Sequence, residues 1–152
     1  MPQTITTTSF RLSRVVNAPS ERVFAAWTKP EALKRWWGPP GFTTPSAEVD
    51  LRIGGAYKLA MKSPDGETHV VFGTFIEIEA PKKLAYTWAW EEDDGAPSHE
   101  SVVTVEFKPK GATTEIVLTH ERLANAESRD KHIDGWNGCF DHLEQVLAAK
   151  DA

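Results

Sequence analysis

Short, turn-forming segments divide residues 42–122 into runs that lie close together along the chain. Apolar and polar residues alternate within these runs, which is typical of strands. A parallel crossover needs about a dozen residues or more, so neighbouring runs are expected to pair antiparallel, as a meander. The predicted strands lie near 42–50, 55–62, 68–79, 83–91, 101–108 and 113–122. The turns between them, at 54–55, 63–66, 80–81, 93–97 and 108–111, are rich in Gly, Pro, Asp and Ser.

The alternation gives this sheet one strongly apolar face, most clearly at Leu84, Tyr86, Trp88 and Trp90. A long amphipathic helix that Asn125 is placed to cap, and that runs to about Ala149, is predicted to cover it. The helix has its apolar residues at spacings of 4, 4, 3 and 4, at His132, Trp136, Phe140, Leu143 and Leu147. Such a helix is about 35 Å long, enough to cross six or seven strands.

The sequence before residue 42 is predicted to form one strand, Thr7–Val16, followed by two short helices. The first helix begins at Pro19 or Ser20 and carries an apolar face around Trp27. Thr28 is expected to cap the second helix, with Glu31 completing a capping box. The predicted fold class is therefore α+β, in a single domain over 1–152.

Composition excludes several classes of protein. Seventeen basic and 22 acidic residues give a net charge of −5, which argues against a nucleic-acid or anionic-membrane partner. The longest apolar run, Val23–Trp27, is far shorter than the ~20 residues that span a bilayer. The N-terminus has no secretory signal pattern, and Cys139 is the only cysteine. We therefore expect a cytoplasmic location.

Several segments in order along the chain form a recognisable pattern: 16–27, 35–39, 50–55 with Tyr57, Gly73, 84–90 and Gly135-Trp136. Together they resemble the heat-shock-protein-90 ATPase activator-like family, part of the START-like (SRPBCC) helix-grip superfamily. The resemblance implies a curved antiparallel sheet of six to seven strands wrapped around the long C-terminal helix, with the N-terminal strand paired to the last strand. It also implies an elongated cavity between the sheet, that helix and the two short helices.

Aromatic residues are the main candidates for lining such a cavity, since six Trp and seven Phe are a heavy load for 152 residues. The alternative is that they simply fill the core. The candidates are Trp36, Trp37, Phe42, Trp88, Trp90, Trp136 and Phe140, with Met61 and Phe72 as weaker ones. Gly135, inside a helix, suggests a close approach of the helix backbone to the sheet or to a ligand, although the family resemblance favours simple packing.

Each polar candidate residue has a functional and a structural interpretation. Arg52 could anchor a ligand carboxylate with Asp50 orienting it, although a structural ion pair at the turn is favoured. His120 and His132 could bind a ligand or act as acid–base groups with a carboxylate, but a histidine on an apolar face is more often a satisfied core group. Cys139 is expected to be buried, protonated and inert.

No metal site or cofactor is expected, because the five histidines show no i, i+4 pair and no cofactor motif is present. The preferred function is binding of a small hydrophobic or aromatic molecule in the cavity. A co-chaperone-like protein-binding module is the alternative, and a cyclase or hydrolase acting in the same cavity is the third. A homodimer or a chaperone partner is left open.

Overall fold

The computed structural model describes residues 4–5, 8–38, 41–91 and 99–148. Its elements confirm the predicted α+β order, and a two-residue strand is added at one edge of the sheet. The predicted turn at 93–97 lies outside the described residues. In chain order the elements are β1 (Thr4–Ile5), β2 (Phe10–Val16), α1 (Ser20–Thr28), α2 (Pro30–Trp36), β3 (Thr43–Val49), β4 (Ala56–Lys62), β5 (Thr68–Glu79), β6 (Lys83–Trp90), β7 (Ser101–Lys110), β8 (Thr113–Glu121) and α3 (Ala126–Ala148).

All strands pair antiparallel in the order β1-β2-β8-β7-β6-β5-β4-β3. The expected pairing of the N-terminal strand with the last one is confirmed, with Leu12 opposite Leu118. The β5–β6 register shifts between Phe75 and Glu77. Close by, a Cβ added at Gly73 would lie 2.0 Å from the Thr87 carbonyl oxygen, so only glycine allows this approach of the two strands.

Helix α3 covers the apolar face of the curved sheet, as predicted, and the core lies between them. Arg14 on β2 holds the helix from the side, since its guanidinium lies 2.9 Å from Asp141 and 2.8 Å from Glu144. Wholly buried side chains in this core include Phe10, Leu12, Leu84, Phe107, Ile116, Leu118, Phe140 and Leu143.

The helix starts were predicted with mixed success. Asn125 caps α3 as expected, because its Oδ1 accepts the Ser128 backbone N–H at 2.8 Å. The capping box at Thr28 was wrong. Thr28 ends α1, its hydroxyl donates to the Phe24 carbonyl at 2.9 Å, and Lys29 occupies the N-cap of α2 without a side-chain bond. Pro30, with its fixed φ, opens α2 instead.

Within the part of the chain that the structure describes, no helix is both long and apolar enough to cross a membrane.

Candidate functional site

A cleft of about 460 Å³ lies between the N-terminal half of α3 and the covered face of the sheet. This volume is in the range of small-molecule sites. Its lining comes from three places: the residue after α2, strands β4 and β6, and α3 with the residue before it. The lining residues are Trp37, Met61, Trp88, Trp90, Asn125, Glu127, Ser128, Lys131, His132, Gly135, Trp136 and Cys139.

Two periodicities bring this lining together. Trp88 and Trp90 are two residues apart on β6, so both point to the covered face. On α3, Ser128, Gly135 and Cys139 recur at helical spacing and face the same space.

Gly135 opens the cleft rather than closing it. Among the described residues, no atom apart from the adjoining backbone of α3 lies within 4 Å of a Cβ built at this position. A close approach of the helix backbone to the sheet at Gly135 is therefore not found, because the missing side chain borders open volume, and a close approach to a ligand stays a prediction.

The six indole rings form a continuous series that runs from the core into the cleft wall. Ring centroids are 4.8 Å apart for Trp27 and Trp36, 5.4 Å for Trp36 and Trp37, and 5.8 Å for Trp37 and Trp88. The series continues from Trp88 to Trp90 at 5.6 Å, while Trp37 also meets Trp136 at 5.4 Å.

His132 fixes two of these rings. Its Nε2 accepts the indole N–H of Trp88 at 3.2 Å and that of Trp90 at 3.1 Å. Because Nε2 is an acceptor, the ring proton is on Nδ1, which donates to the Ser128 carbonyl at 2.7 Å. Burial lowers the pKa of His132, opposed by the bond to Ser128.

His120, which is buried in the core, fixes the indole ring of Trp136. Its Nδ1 accepts the Trp136 indole N–H at 3.2 Å, so Nε2 carries the proton and donates to the Ser101 hydroxyl at 2.7 Å. That hydroxyl donates in turn to the Trp88 carbonyl at 3.2 Å. Burial, with a smaller effect of His132, lowers the pKa of His120 well below its usual value.

Both histidines are therefore neutral, and the acceptor nitrogen of each is already occupied. A proton could be added to either ring only by displacing an indole N–H. The arrangement holds the tryptophans in place and offers no free base to a reactant.

Six of the eleven candidate residues come together in the cleft. They are Trp37, Met61, Trp88, Trp90, His132 and Trp136.

The structure does not bring the other five to the cleft lining. Phe42 packs beside Gly38 and faces the His69 ring at 6.4 Å, outside the lining. His120 and Phe140 are wholly buried in the core, as is Trp36, which was also considered.

Arg52 and Phe72 lie elsewhere for different reasons. Arg52 is 72% exposed in the turn before β4 and pairs with Asp50 at 2.9 Å, the favoured structural reading. Phe72 lies on the opposite face of the sheet, in a shallow depression with Ala89, because its neighbour Val71 points into the core.

Half of the lining was not predicted as ligand-binding. Most of these residues are polar, so apolar patterning did not select them, although Ser128, Gly135 and Cys139 recur on α3 at helical spacing from His132. They are Asn125, Glu127, Ser128, Lys131, Gly135 and Cys139. Burial raises the pKa of Cys139 to about 12, so its thiol is protonated, as expected.

Solved structures share this fold over nearly the whole chain. The crystal structure of an AHSA1 protein from Silicibacter pomeroyi has a TM-score of 0.86 and 28% identity, covering 93% of this chain and 99% of that one. A crystal structure from Chromobacterium violaceum has a TM-score of 0.82 and 27% identity, covering 91% and 96%. The solution structure of an AHSA1-like protein from Aeromonas hydrophila has 0.75 and 26%, covering 93% and 94%.

No curated protein sequence matches the chain significantly. The family model described as "Activator of Hsp90 ATPase homolog 1-like protein" matches residues 17–148, which is most of the chain. With its helix-grip fold of the START-like superfamily, the chain belongs to the activator of Hsp90 ATPase homolog 1-like family.

Proposed function

We propose that this protein binds a small hydrophobic or aromatic molecule in the cleft between α3 and the sheet. The observation that carries the proposal is the hydrogen bonding of the tryptophan side chains that line the cleft. The N–H groups of Trp88, Trp90 and Trp136 are all bonded to histidines, so these rings present mainly apolar surface to an occupant.

The charges of the lining support the same chemistry. Its formally charged residues, Glu127 and Lys131, are 80% and 76% exposed and lie 4.0 Å from each other at the rim. The rest of the lining consists mainly of indole rings, a thioether and a protonated thiol, with the uncharged polar side chains of Asn125, Ser128 and His132, and this largely apolar surface suits an apolar guest. The proposal includes a cytoplasmic location, where the lone Cys139 would stay reduced.

Native mass spectrometry of freshly purified protein, followed by thermal shift with flat aromatic molecules and fatty acids, tests the proposal. We expect a co-purified ligand, or a compound that stabilises by about 2.7 kcal/mol at a hundredfold excess over its Kd. Gly135→Leu should abolish the shift by filling the cleft. Asp134→Leu, which adds the same side chain at an exposed neighbouring position, should preserve it. No ligand and no hit from the panel would overturn the proposal.

A co-chaperone-like binding role is the second candidate, favoured by an exposed apolar patch outside the cleft. Leu51, Ile53 and Ile76 are 42%, 67% and 49% exposed. The turn that carries the first two is held to β5, since the Gly54 N–H donates to the Phe75 carbonyl at 2.8 Å. The family's own description supports a chaperone as the partner.

The patch and the cleft are separable by mutation. If the patch binds a chaperone, the protein should stimulate the ATPase of an Hsp90, and Ile53→Ser with Ile76→Ser should remove the effect while Gly135→Leu spares it. No stimulation would set this candidate aside. Analytical ultracentrifugation of the same variants would reveal a homodimer through the patch.

A cyclase or hydrolase acting in the cleft ranks third, because His120 and His132 are held by indole N–H groups. Turnover lost in His120→Ala or His132→Ala with the fold retained would reverse that ranking.

A further inference from the structure

Trp37 differs from the other five tryptophans in its indole N–H. Among the residues that the structure describes, it has no hydrogen-bond partner. The other five each have one: Trp27 donates to the Tyr86 hydroxyl, Trp36 to the Ala26 carbonyl, Trp88 and Trp90 to His132, and Trp136 to His120.

This N–H borders accessible space although the side chain is buried. Trp37 is only 3% exposed, yet within the described residues no fully enclosed side-chain nitrogen or oxygen lacks a partner. Trp37 lines the cleft of about 460 Å³ and a second, small pocket of about 20 Å³. The small pocket has room for about one water molecule. The cleft is the space in which a ligand could meet the donor.

The remaining polar groups of the wall narrow the chemistry of that ligand. The acceptor nitrogen of His132 is already occupied twice, so a ligand hydroxyl would not find a free imidazole acceptor for its proton. Two further polar residues of the lining already have contacts: Asn125 Oδ1 accepts the Ser128 backbone N–H at 2.8 Å, and the Ser128 hydroxyl lies 3.5 Å from His132 Nδ1. A carbonyl oxygen needs only a donor. Glu127 and Lys131 compensate each other at the rim, which leaves no counter-charge for an ionised group inside.

We propose that the occupant is a neutral, flat aromatic molecule carrying a carbonyl group, and that its oxygen accepts a hydrogen bond from Trp37 Nε1–H. The inference rests on the proposed binding function and adds an orientation to it. The aromatic body lies against the indole rings of Trp88 and Trp136, with the carbonyl directed at Trp37.

The test compares 9-fluorenone with fluorene, which differ in one carbonyl group. In protein labelled with ¹⁵N at tryptophan, each indole gives its own N–H signal, and that of Trp37 is identified by its loss in Trp37→Phe. Fluorenone is expected to bind about three- to tenfold more tightly than fluorene, the strength of one hydrogen bond. It should also move the Trp37 signal downfield. Trp37→Phe should remove the preference, so that fluorenone and fluorene bind this variant with equal affinity.

Charge is tested with a second matched pair. The carboxamide of 9-fluorenone-4-carboxylic acid is expected to bind more tightly than the carboxylate, which has a similar shape and is ionised at neutral pH. Tighter binding of the carboxylate would overturn the assignment of a neutral ligand.

Equal affinities for fluorenone and fluorene, with the Trp37 signal unmoved, would overturn the inference and leave the proposed function standing. Failure of both probes and of the whole ligand panel would overturn the proposed function and the inference with it. The comparison in the wild-type protein needs no substitution, so the inference is testable even if Trp37→Phe does not fold.

Discussion

The imidazole rings of His120 and His132 lie 4.9 Å apart, centroid to centroid, with 73° between their planes. Between them they accept the indole N–H groups of Trp88, Trp90 and Trp136. The tryptophans that line the cleft are therefore held by a polar network inside an apolar core. Such a network stabilises the fold only while each of its polar groups keeps a hydrogen-bond partner.

Removing one histidine should destabilise the protein markedly. His132→Ala leaves the N–H groups of Trp88 and Trp90 without their acceptor, and we expect the free energy of unfolding to fall by about 2–4 kcal/mol in urea denaturation. His69→Ala, at an exposed position, is the control and should change it by less than about 0.5 kcal/mol. Equal effects of the two substitutions would show that the network contributes nothing.

The same network makes stability depend on pH. The pKa values of His120 and His132 are lowered in the folded protein from an ordinary 6.5, mainly by burial. Below that value the unfolded chain binds protons that the folded protein does not, so stability is complete above about pH 6.5 and falls as the pH drops.

Each histidine should contribute a slope of up to about 1.4 kcal/mol per pH unit between its unfolded and folded pKa. Urea titrations at pH values from about 7.5 to 5 measure this slope. His132→Gln keeps an acceptor and removes one titrating group, so the slope should become shallower. A stability independent of pH over this window would contradict the buried, neutral state of both rings.

Two glycines should respond to alanine with opposite signs. Gly135→Ala places a methyl group in open space within a helix, and we expect a gain of up to about 1 kcal/mol in the free energy of unfolding. Gly73→Ala drives a Cβ against the Thr87 carbonyl and should cost about 2–3 kcal/mol. The pair is measured by urea denaturation. A loss at Gly135 would mean that its side-chain space is filled.

Cys139 offers a chemical probe of the cleft. Its pKa is raised from 9.0 to about 12 by burial, so near pH 8 the folded protein should react with Ellman's reagent at least about a hundredfold more slowly than the urea-unfolded chain. Because Cys139 is the only cysteine, the reaction reports one site. Reaction within seconds in the folded protein would contradict its burial.

Strand alternation and helix periodicity predicted the order of elements, because both depend on local spacing along the chain. They also placed Trp88, Trp90, His132 and Trp136 on surfaces that face each other. The error at Thr28 arose because the first helix continues to that residue, which leaves its hydroxyl bonded to Phe24 rather than free to cap the next helix.

The site was predicted only in part because a cleft depends on which surfaces are left uncovered. Phe72 was chosen for lying near Met61 on the neighbouring strand, but it lies on the other face of the sheet. Phe140 shares the helical stripe with His132 and Trp136, yet it packs beneath Arg14, 5.4 Å from the guanidinium, and is covered. Spacing identifies the face of an element but not how far its neighbour extends over it.

The continuous series of indoles has an optical consequence. Neighbouring rings 4.8–5.8 Å apart transfer excitation energy efficiently, so light absorbed by any of the six tryptophans can reach the rings of the cleft wall. A single quenching molecule in contact with Trp37 or Trp88 would therefore lower the fluorescence of all six tryptophans rather than of one. Intrinsic tryptophan fluorescence would thus report the binding of such a molecule without an added label.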